Sequence, residues 1–274
     1  MTQVVLITGT SSGIGRECVY HFVNAGWHVI ATARNLDDIK DLASDDVTTL
    51  ALDVTKEDSM VAAVAEVERQ FGPVDALVNN AGFGTMLPVE ETPLQVMRDQ
   101  FEVNVFGAQR LTQLVLPGMR QAGRGRIVNV SSTAGHVVVP MMGSYSASKF
   151  AMRAFTTALA MEVKPFGIQA CLVEPGVIKT AFGQRSQAER HKHTDMEHSP
   201  YRHLHEKWDN MRMTQGGAHP RVIARQILHA ASAKRPRFHY FAPFEAKAGN
   251  FLKRTLPDSV LNGLMGRHFW KGNK

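Results

Sequence analysis

No apolar run in this 274-residue chain approaches the roughly 18–20 residues that a membrane-spanning helix needs, so no such helix is expected. At the start, the apolar Val4–Ile7 stops at Thr8-Gly9, with no basic flank and no small-residue cleavage site. No secretory leader is therefore read there, and the chain is expected to stay in the cytoplasm. Cysteine is scarce too: Cys18 and Cys171 both lie in apolar segments without metal-ligand spacing, and read as core residues of a reduced compartment. Charge is not blocked by sign. Lys and Arg outnumber Asp and Glu by 31 to 25, but the excess is spread out, with no recognisable nucleic-acid module around it. No nucleic-acid partner is expected.

What the chain does have is apolar material: 44% of its residues are hydrophobic, enough for one well-buried core. Short β-branched runs without polar alternation recur at 4–9, 28–34, 49–55, 74–82, 125–132, 168–176 and 237–243. Between them lie stretches of helical spacing, including one long stretch over 95–121. Unalternated strands separated by amphipathic helices predict an α/β fold: a Rossmann-like, doubly wound parallel sheet in three α/β/α layers, forming a single domain over 1–274. Ligands bind such sheets beyond the carboxyl ends of the strands, so the residues just after each strand carry the functional information.

After the first strand comes TGTSSGIG, Thr8 to Gly15. Its glycines let backbone approach a pyrophosphate, and the following helix offers free N–H groups to it; a plain tight turn is the alternative reading. After the second strand there is no acidic residue to hold ribose hydroxyls, but Ala33 and Arg34. A guanidinium there can pair with a 2′-phosphate, which points to NADP(H) unless Arg34 is merely solvated. Asp53, in Leu52-Asp53-Val54-Thr55, is suited to an adenine amino group, and Asn79-Asn80-Ala81-Gly82 follows the fourth strand, although both also read as ordinary turns. The fifth strand ends in Ser131 and Ser132, and a loop leads to Tyr145 and Lys149, whose spacing puts them on one helix face. A nearby ammonium is expected to lower the phenol pKa from its usual value near 10, making a tunable acid/base.

Together these residues resemble the short-chain dehydrogenase/reductase family in its one-domain form. Five motifs stand in family order between Val4 and Thr180: TGTSSGIG, LDVT, NNAG, S…YSASK and EPGVIKT. The resemblance implies that Tyr145 is the catalytic acid/base and that Ser132, thirteen residues before it, polarises the substrate carbonyl in preference to Ser131. It implies that Lys149 binds the nicotinamide ribose and that Asn104 holds a proton-relay water. Gly9, Ser11, Ser12, Gly13, Ile14, Gly15, Arg34, Asp53, Val54, Asn80, Ala81, Gly82, Pro175, Gly176, Ile178 and Thr180 would contact the cofactor with Tyr145 and Lys149. NADP(H)-preferring members carry a basic residue after the second strand or in the glycine motif. Arg34 fills the first position and Ser12 stands in the second, so NADP(H) is expected and NAD(H) stays open.

The implied activity is the interconversion of a secondary alcohol and a ketone, or an aldehyde. A non-catalytic cofactor-binding regulator, or a reductase of small carbonyls or quinones, is the alternative; the intact Asn104, Ser132, Tyr145 and Lys149 favour an enzyme. Residues 1–180 read as the cofactor-binding and catalytic core, 181–219 as a substrate-covering lid, and 220–274 as a C-terminal helix, strand and tail. Phe182, Tyr201, Trp208, Met211 and Met213 in the lid, with Val137 to Val139, Met141 and Met142 before Tyr145, favour a bulky apolar substrate of steroid, retinoid or lipid type. His191, His193, His198, His203 and His205 do not have zinc spacing, so no metal is expected. The tail carries an apolar helical stripe at Val260, Leu261, Leu264, Met265 and Phe269, read as packing or pocket closure; with Trp270 and its basic residues, weak peripheral membrane contact is the other reading, and Gly263 and Gly266 weaken the helix. A homodimer or homotetramer is expected through the helices of Asn104 and Tyr145, using Val103, Phe106, Phe155 and Leu159.

Overall fold

The first strand, β1 (Val4–Thr8), is buried along its whole length, as a strand is at the centre of a sheet covered on both faces. In the computed structural model, which describes residues 2–210 and 216–270, β1 pairs in parallel with β2 (His28–Ala33) on one side and β4 (Ala76–Asn79) on the other. With β3 (Val47–Ala51), β5 (Gly125–Val130), β6 (Ile168–Pro175) and β7 (His239–Ala242), they form a seven-stranded parallel sheet in the order β3-β2-β1-β4-β5-β6-β7. The order reverses between β1 and β4, which opens a crevice at their carboxyl ends.

Side-chain alternation splits the core in two. Val5 and Ile7 pack under α1 (Gly13–Val23) and α8 (Arg221–Ser232), together with Cys18 and Cys171. Val4 and Leu6 pack under α2 (Glu57–Phe71), α4 (Ala108–Ala122) and α5 (Gly143–Glu162). Both cysteines are buried, as expected for core residues.

The continuous helix expected over 95–121 is in fact three pieces: α3 (Leu94–Phe101), a π-helical stretch Glu102–Gly107, and α4. The wider turn brings Gly107 so close to Val54 that a Cβ there would collide with the Val54 carbonyl. Such π turns shift the backbone hydrogen-bond register locally, and this one contains Asn104.

Beyond β6, α6 (Phe182–His193) and α7 (Arg202–Asn210) lie over the carboxyl ends of the strands, followed after β7 by α9 (Phe244–Thr255) and α10 (Asp258–Trp270). Along α10, Leu261 and Phe269 are buried, whereas Val260, Leu264 and Trp270 are exposed. The apolar stripe therefore divides between packing and surface. Met211 and Met213 lie outside the described residues.

Candidate active site

The turn after β1 is shaped by glycine. Gly9 (φ +73°) and Gly13 (φ +61°) take left-handed conformations, which other L-residues adopt at a cost. A Cβ on Gly15 would run into the Gly9 carbonyl, so this glycine lets α1 approach the strand. The Thr8 hydroxyl accepts from the Asn80 and Ala81 N–H groups at 3.0 and 2.9 Å, and the Asn80 amide donates to the Thr8 and Gly9 carbonyls at 2.8 and 3.1 Å. Asn80 thus braces the turn as well as lining the crevice. Ser12 at the head of α1 makes no side-chain cap, and the first turn carries no acidic residue. A bare helix N-terminus above a glycine cradle is open to an anion of pyrophosphate size.

The crevice continues as a cavity of about 1450 Å³. All the residues expected for cofactor contact line it except Gly15, whose part is packing. At one end, Arg34 is exposed just past β2 and forms no ion pair among the described residues. One Asp53 carboxylate oxygen accepts from the Thr55 backbone and hydroxyl at 3.0 and 2.8 Å, leaving the other oxygen available.

At the far end Ser132, Tyr145 and Lys149 line the same cavity, with Tyr145 and Lys149 both buried. Ser131 borders the cavity as well, but its hydroxyl donates to the Lys149 carbonyl at 3.4 Å. The Ser132 hydroxyl instead accepts from the Ala134 N–H at 3.1 Å and favours the ionised form of the Tyr145 phenol. The expectation of a lowered phenol pKa does not hold. Burial pushes Tyr145 up to about 12, against the opposing pull of Ser132, and burial pulls Lys149 down to about 8. The physical reason is direction: the Lys149 ammonium donates to the Val130 carbonyl at 3.0 Å and lies 5.8 Å from the Tyr145 ring centroid.

Asn104 sits behind the cavity wall. Its Oδ1 accepts from the Phe83 N–H at 3.0 Å, and its Nδ2 donates to the Phe83 carbonyl at 2.8 Å and to the Ser148 hydroxyl at 3.1 Å. Both hydrogens of that amide are engaged, so a water held by Asn104 would donate to one of its oxygens, either the second lone pair of Oδ1 or the main-chain carbonyl.

The outer chamber is walled by Val137, Val139, Met142, Phe182, Trp208 and Phe269. Met141 is buried and Val138 exposed, but neither lines it. Phe182 meets Tyr145 ring to ring at 5.6 Å, and Trp208 stacks on Phe269 at 6.1 Å. Tyr201 packs beside this cluster, and its hydroxyl donates to Glu90 at 2.5 Å.

Four of the five histidines of 191–205 find separate carboxylates, His191 with Asp209, His193 with Glu189, His198 with Asp195 and His205 with Glu91, while His203 packs its ring on Trp270 at 4.2 Å. Three donor groups do converge elsewhere, and sequence reasoning missed them. Glu174, fully buried at the end of β6, accepts from His136 and, at 2.7 Å, from His239. Burial raises the Glu174 carboxyl, but these two bonds outweigh it and leave its pKa below the ordinary value. The available signal was a carboxylate inside the apolar run Cys171–Pro175, which requires buried partners.

Residues 3–191 match the family profile described as short chain dehydrogenase. The chain is a member of the short-chain dehydrogenase/reductase family. It is 34% identical over 270 residues to a 3-ketodihydrosphingosine reductase of Bacteroides thetaiotaomicron, covering 94% of this chain and 95% of that one. It is 31% identical over 273 residues to an NADPH-dependent 3-dehydrocapnine reductase of Ornithobacterium rhinotracheale, covering 95% of each. The crystal structure of a short-chain dehydrogenase from Streptomyces avermitilis superposes with a TM-score of 0.79 at 31% identity, covering 98% of this chain and 96% of that one. The protein is accordingly an NAD(P)-dependent oxidoreductase with the family's Rossmann-like fold.

Proposed function

We propose that this oxidoreductase uses NADP(H) to interconvert a ketone and a secondary alcohol on a bulky, apolar, lipid-like substrate. The observation that carries the reading is the junction at Tyr145: a glycine-cradled, Arg34-tipped crevice on one side and an apolar chamber on the other, within one cavity. The two relatives named as reductases of 3-ketodihydrosphingosine and 3-dehydrocapnine support both halves of it.

In this reading Gly9 to Ile14 cradle the pyrophosphate, Asp53 and Val54 flank the adenine, Asn80 to Gly82 line the adenosine side, and Arg34 reads the 2′-phosphate. Pro175, Gly176, Ile178 and Thr180 receive the nicotinamide end, and the bound nicotinamide supplies or accepts a hydride. Ser132 donates to the carbonyl oxygen and polarises it. Tyr145, protonated at neutral pH with its pKa near 12, donates the proton that completes reduction. In the reverse direction its phenolate takes the alcohol proton. Lys149 holds the ribose and, once turned toward the phenol, favours the phenolate; Asn104 holds a water that relays a proton from solvent to Lys149.

Residues 181–219 are the proposed substrate cover; of those described, Phe182 and Trp208 supply apolar wall beside Tyr145, while Arg185, Glu189, Arg190, Lys192 and His193 bring charge to the same cavity. The protein self-associates through exposed Phe106 and Phe155; Leu159 is buried in the core and Val103 packs against it, so those two do not take part. A screen of NADPH consumption tests the function, with long-chain sphingoid-type ketones, steroids and retinoids set against small ketones, aldehydes and quinones. Turnover confined to the small carbonyls would overturn the apolar-substrate reading, and absence of turnover with every class would favour a cofactor-binding regulator.

A further inference from the structure

Arg185 lies in the first turns of α6, remote in sequence from the glycine turn, yet its guanidinium donates to the Ser12 hydroxyl at 3.1 Å. Ser12 is the N-cap of α1, and both residues line the cavity. Two features of this contact are electrostatically odd. A cation has been brought to the positive end of a helix dipole, where charge of that sign is disfavoured. Arg185 also has no carboxylate partner among the described residues, although neighbouring charges on α6 do: Lys192 pairs with Glu189 and Arg190 with Asp209. A guanidinium facing a helix N-terminus is a stable arrangement when an anion lies between them, since both then point at the same charge.

We propose that Arg185 is a cofactor-binding residue that closes over the dinucleotide pyrophosphate from the α6 side, opposite the backbone N–H groups of the glycine turn. The assignment rests on the reading that the crevice takes a dinucleotide. It gives the two arginines different targets, since Arg34, past β2, meets the 2′-phosphate, whereas Arg185, over α1, meets the phosphates common to both dinucleotides. It also gives the cofactor a mechanical role. Phe182, three residues earlier on α6, contacts Tyr145, so an α6 fastened to the pyrophosphate carries one wall of the substrate chamber into position before substrate arrives.

The test is titration calorimetry of the full chain with NADPH, NADH and ADP-ribose, for wild type, Arg185→Ala and Arg34→Ala, alongside hydrogen exchange over 182–193. Arg185→Ala is expected to weaken all three ligands alike by about tenfold or more, the usual range for a lost bond to a charged group, whereas Arg34→Ala weakens NADPH alone. ADP-ribose should slow exchange across α6 in wild type and not in Arg185→Ala. Equal affinities for wild type and Arg185→Ala would overturn the assignment, as would a loss confined to NADPH, which would put Arg185 on the 2′-phosphate. A wild type that binds none of the three would refute the dinucleotide reading itself. Arg185 is exposed, so an unchanged melting temperature in the variant separates lost contact from lost fold.

Discussion

Raising the pH should switch off cofactor capture through Lys149 well before the protein unfolds. Burial holds this ammonium at about 8 rather than the ordinary 10.5, and kcat/KM for the cofactor reports groups of the free protein. At pH 7 about nine-tenths of Lys149 carries its proton, and at pH 9 about one-tenth, so kcat/KM for NADPH should fall about tenfold per unit above pH 8. Tyr145, at about 12, does not titrate in that window. Lys149→Arg supplies a charge that stays on throughout, so its profile should be flat from pH 8 to 10, at a lower plateau. Stability moves in the opposite sense. Between pH 8 and 10.5 the unfolded chain holds the Lys149 proton that the folded chain has lost, so this group's contribution to stability rises with pH. Burying the ammonium costs on the order of 3 kcal/mol at neutral pH. Lys149→Met should therefore be more stable than wild type at pH 7, with the gap in unfolding free energy closing toward pH 10.5. A wild-type kcat/KM that stays level to pH 10, or an identical fall in Lys149→Arg, would refute the reasoning.

Three further outcomes follow from the same site. Tyr145→Phe removes the transferable proton and little else, so turnover should fall by about 10²–10⁴ while calorimetric NADPH affinity stays within about twofold; activity close to wild type would remove Tyr145 from the mechanism. Arg34→Ala should weaken NADPH by about tenfold, the lower end for a charge-assisted bond because Arg34 is exposed, and spare NADH. Adding Ala33→Asp should reverse the preference by offering the ribose an acceptor and repelling the phosphate; equal losses for both cofactors would make Arg34 a solvated residue. Phe106→Lys with Phe155→Lys should convert an oligomer to a monomer in light scattering, and a wild type that is already monomeric at micromolar concentration would dispose of that interface.

What the sequence made legible is what repeats at short range. Unalternated β-branched runs predicted strands buried on both faces, and Val4 to Ile7 are indeed fully enclosed; the glycines at 9, 13 and 15 predicted a tight turn, and two have positive φ. The π turn at Asn104 was not legible, because a single stretch of i→i+5 bonding, Glu102–Gly107, inside an otherwise α-helical run is too short to set an apolar period of its own. The phenol pKa was misjudged for a related reason. Four-residue spacing puts Tyr145 and Lys149 on one face but does not say where a flexible four-carbon stem points, and here it points at the Val130 carbonyl. Arg185 with Ser12, and His136 with Glu174 and His239, come together only through the topology of the sheet.

The two walls of the cavity are built with different firmness. On the sheet side, Glu174 ties the loop after Ser132 to β6 and β7 through His136 and His239, with the carboxylate fully buried. Because Glu174 immediately precedes Pro175 and Gly176, the same clamp fixes the strand end proposed to meet the nicotinamide. A buried carboxylate bonded on both oxygens tolerates little displacement, since breaking either bond leaves a charge without water. On the α6–α7 side, Arg202 with Glu206 and Lys192 with Glu189 pair within their own helices at the surface, where such pairs contribute little; the contacts that tie this side down run to Glu90 and Glu91, from Tyr201, Ser199 and the buried His205. The strand end at Pro175 and Gly176 is thus held by a buried carboxylate bonded on both oxygens, whereas the cover is held through side chains that meet one loop at Glu90 and Glu91.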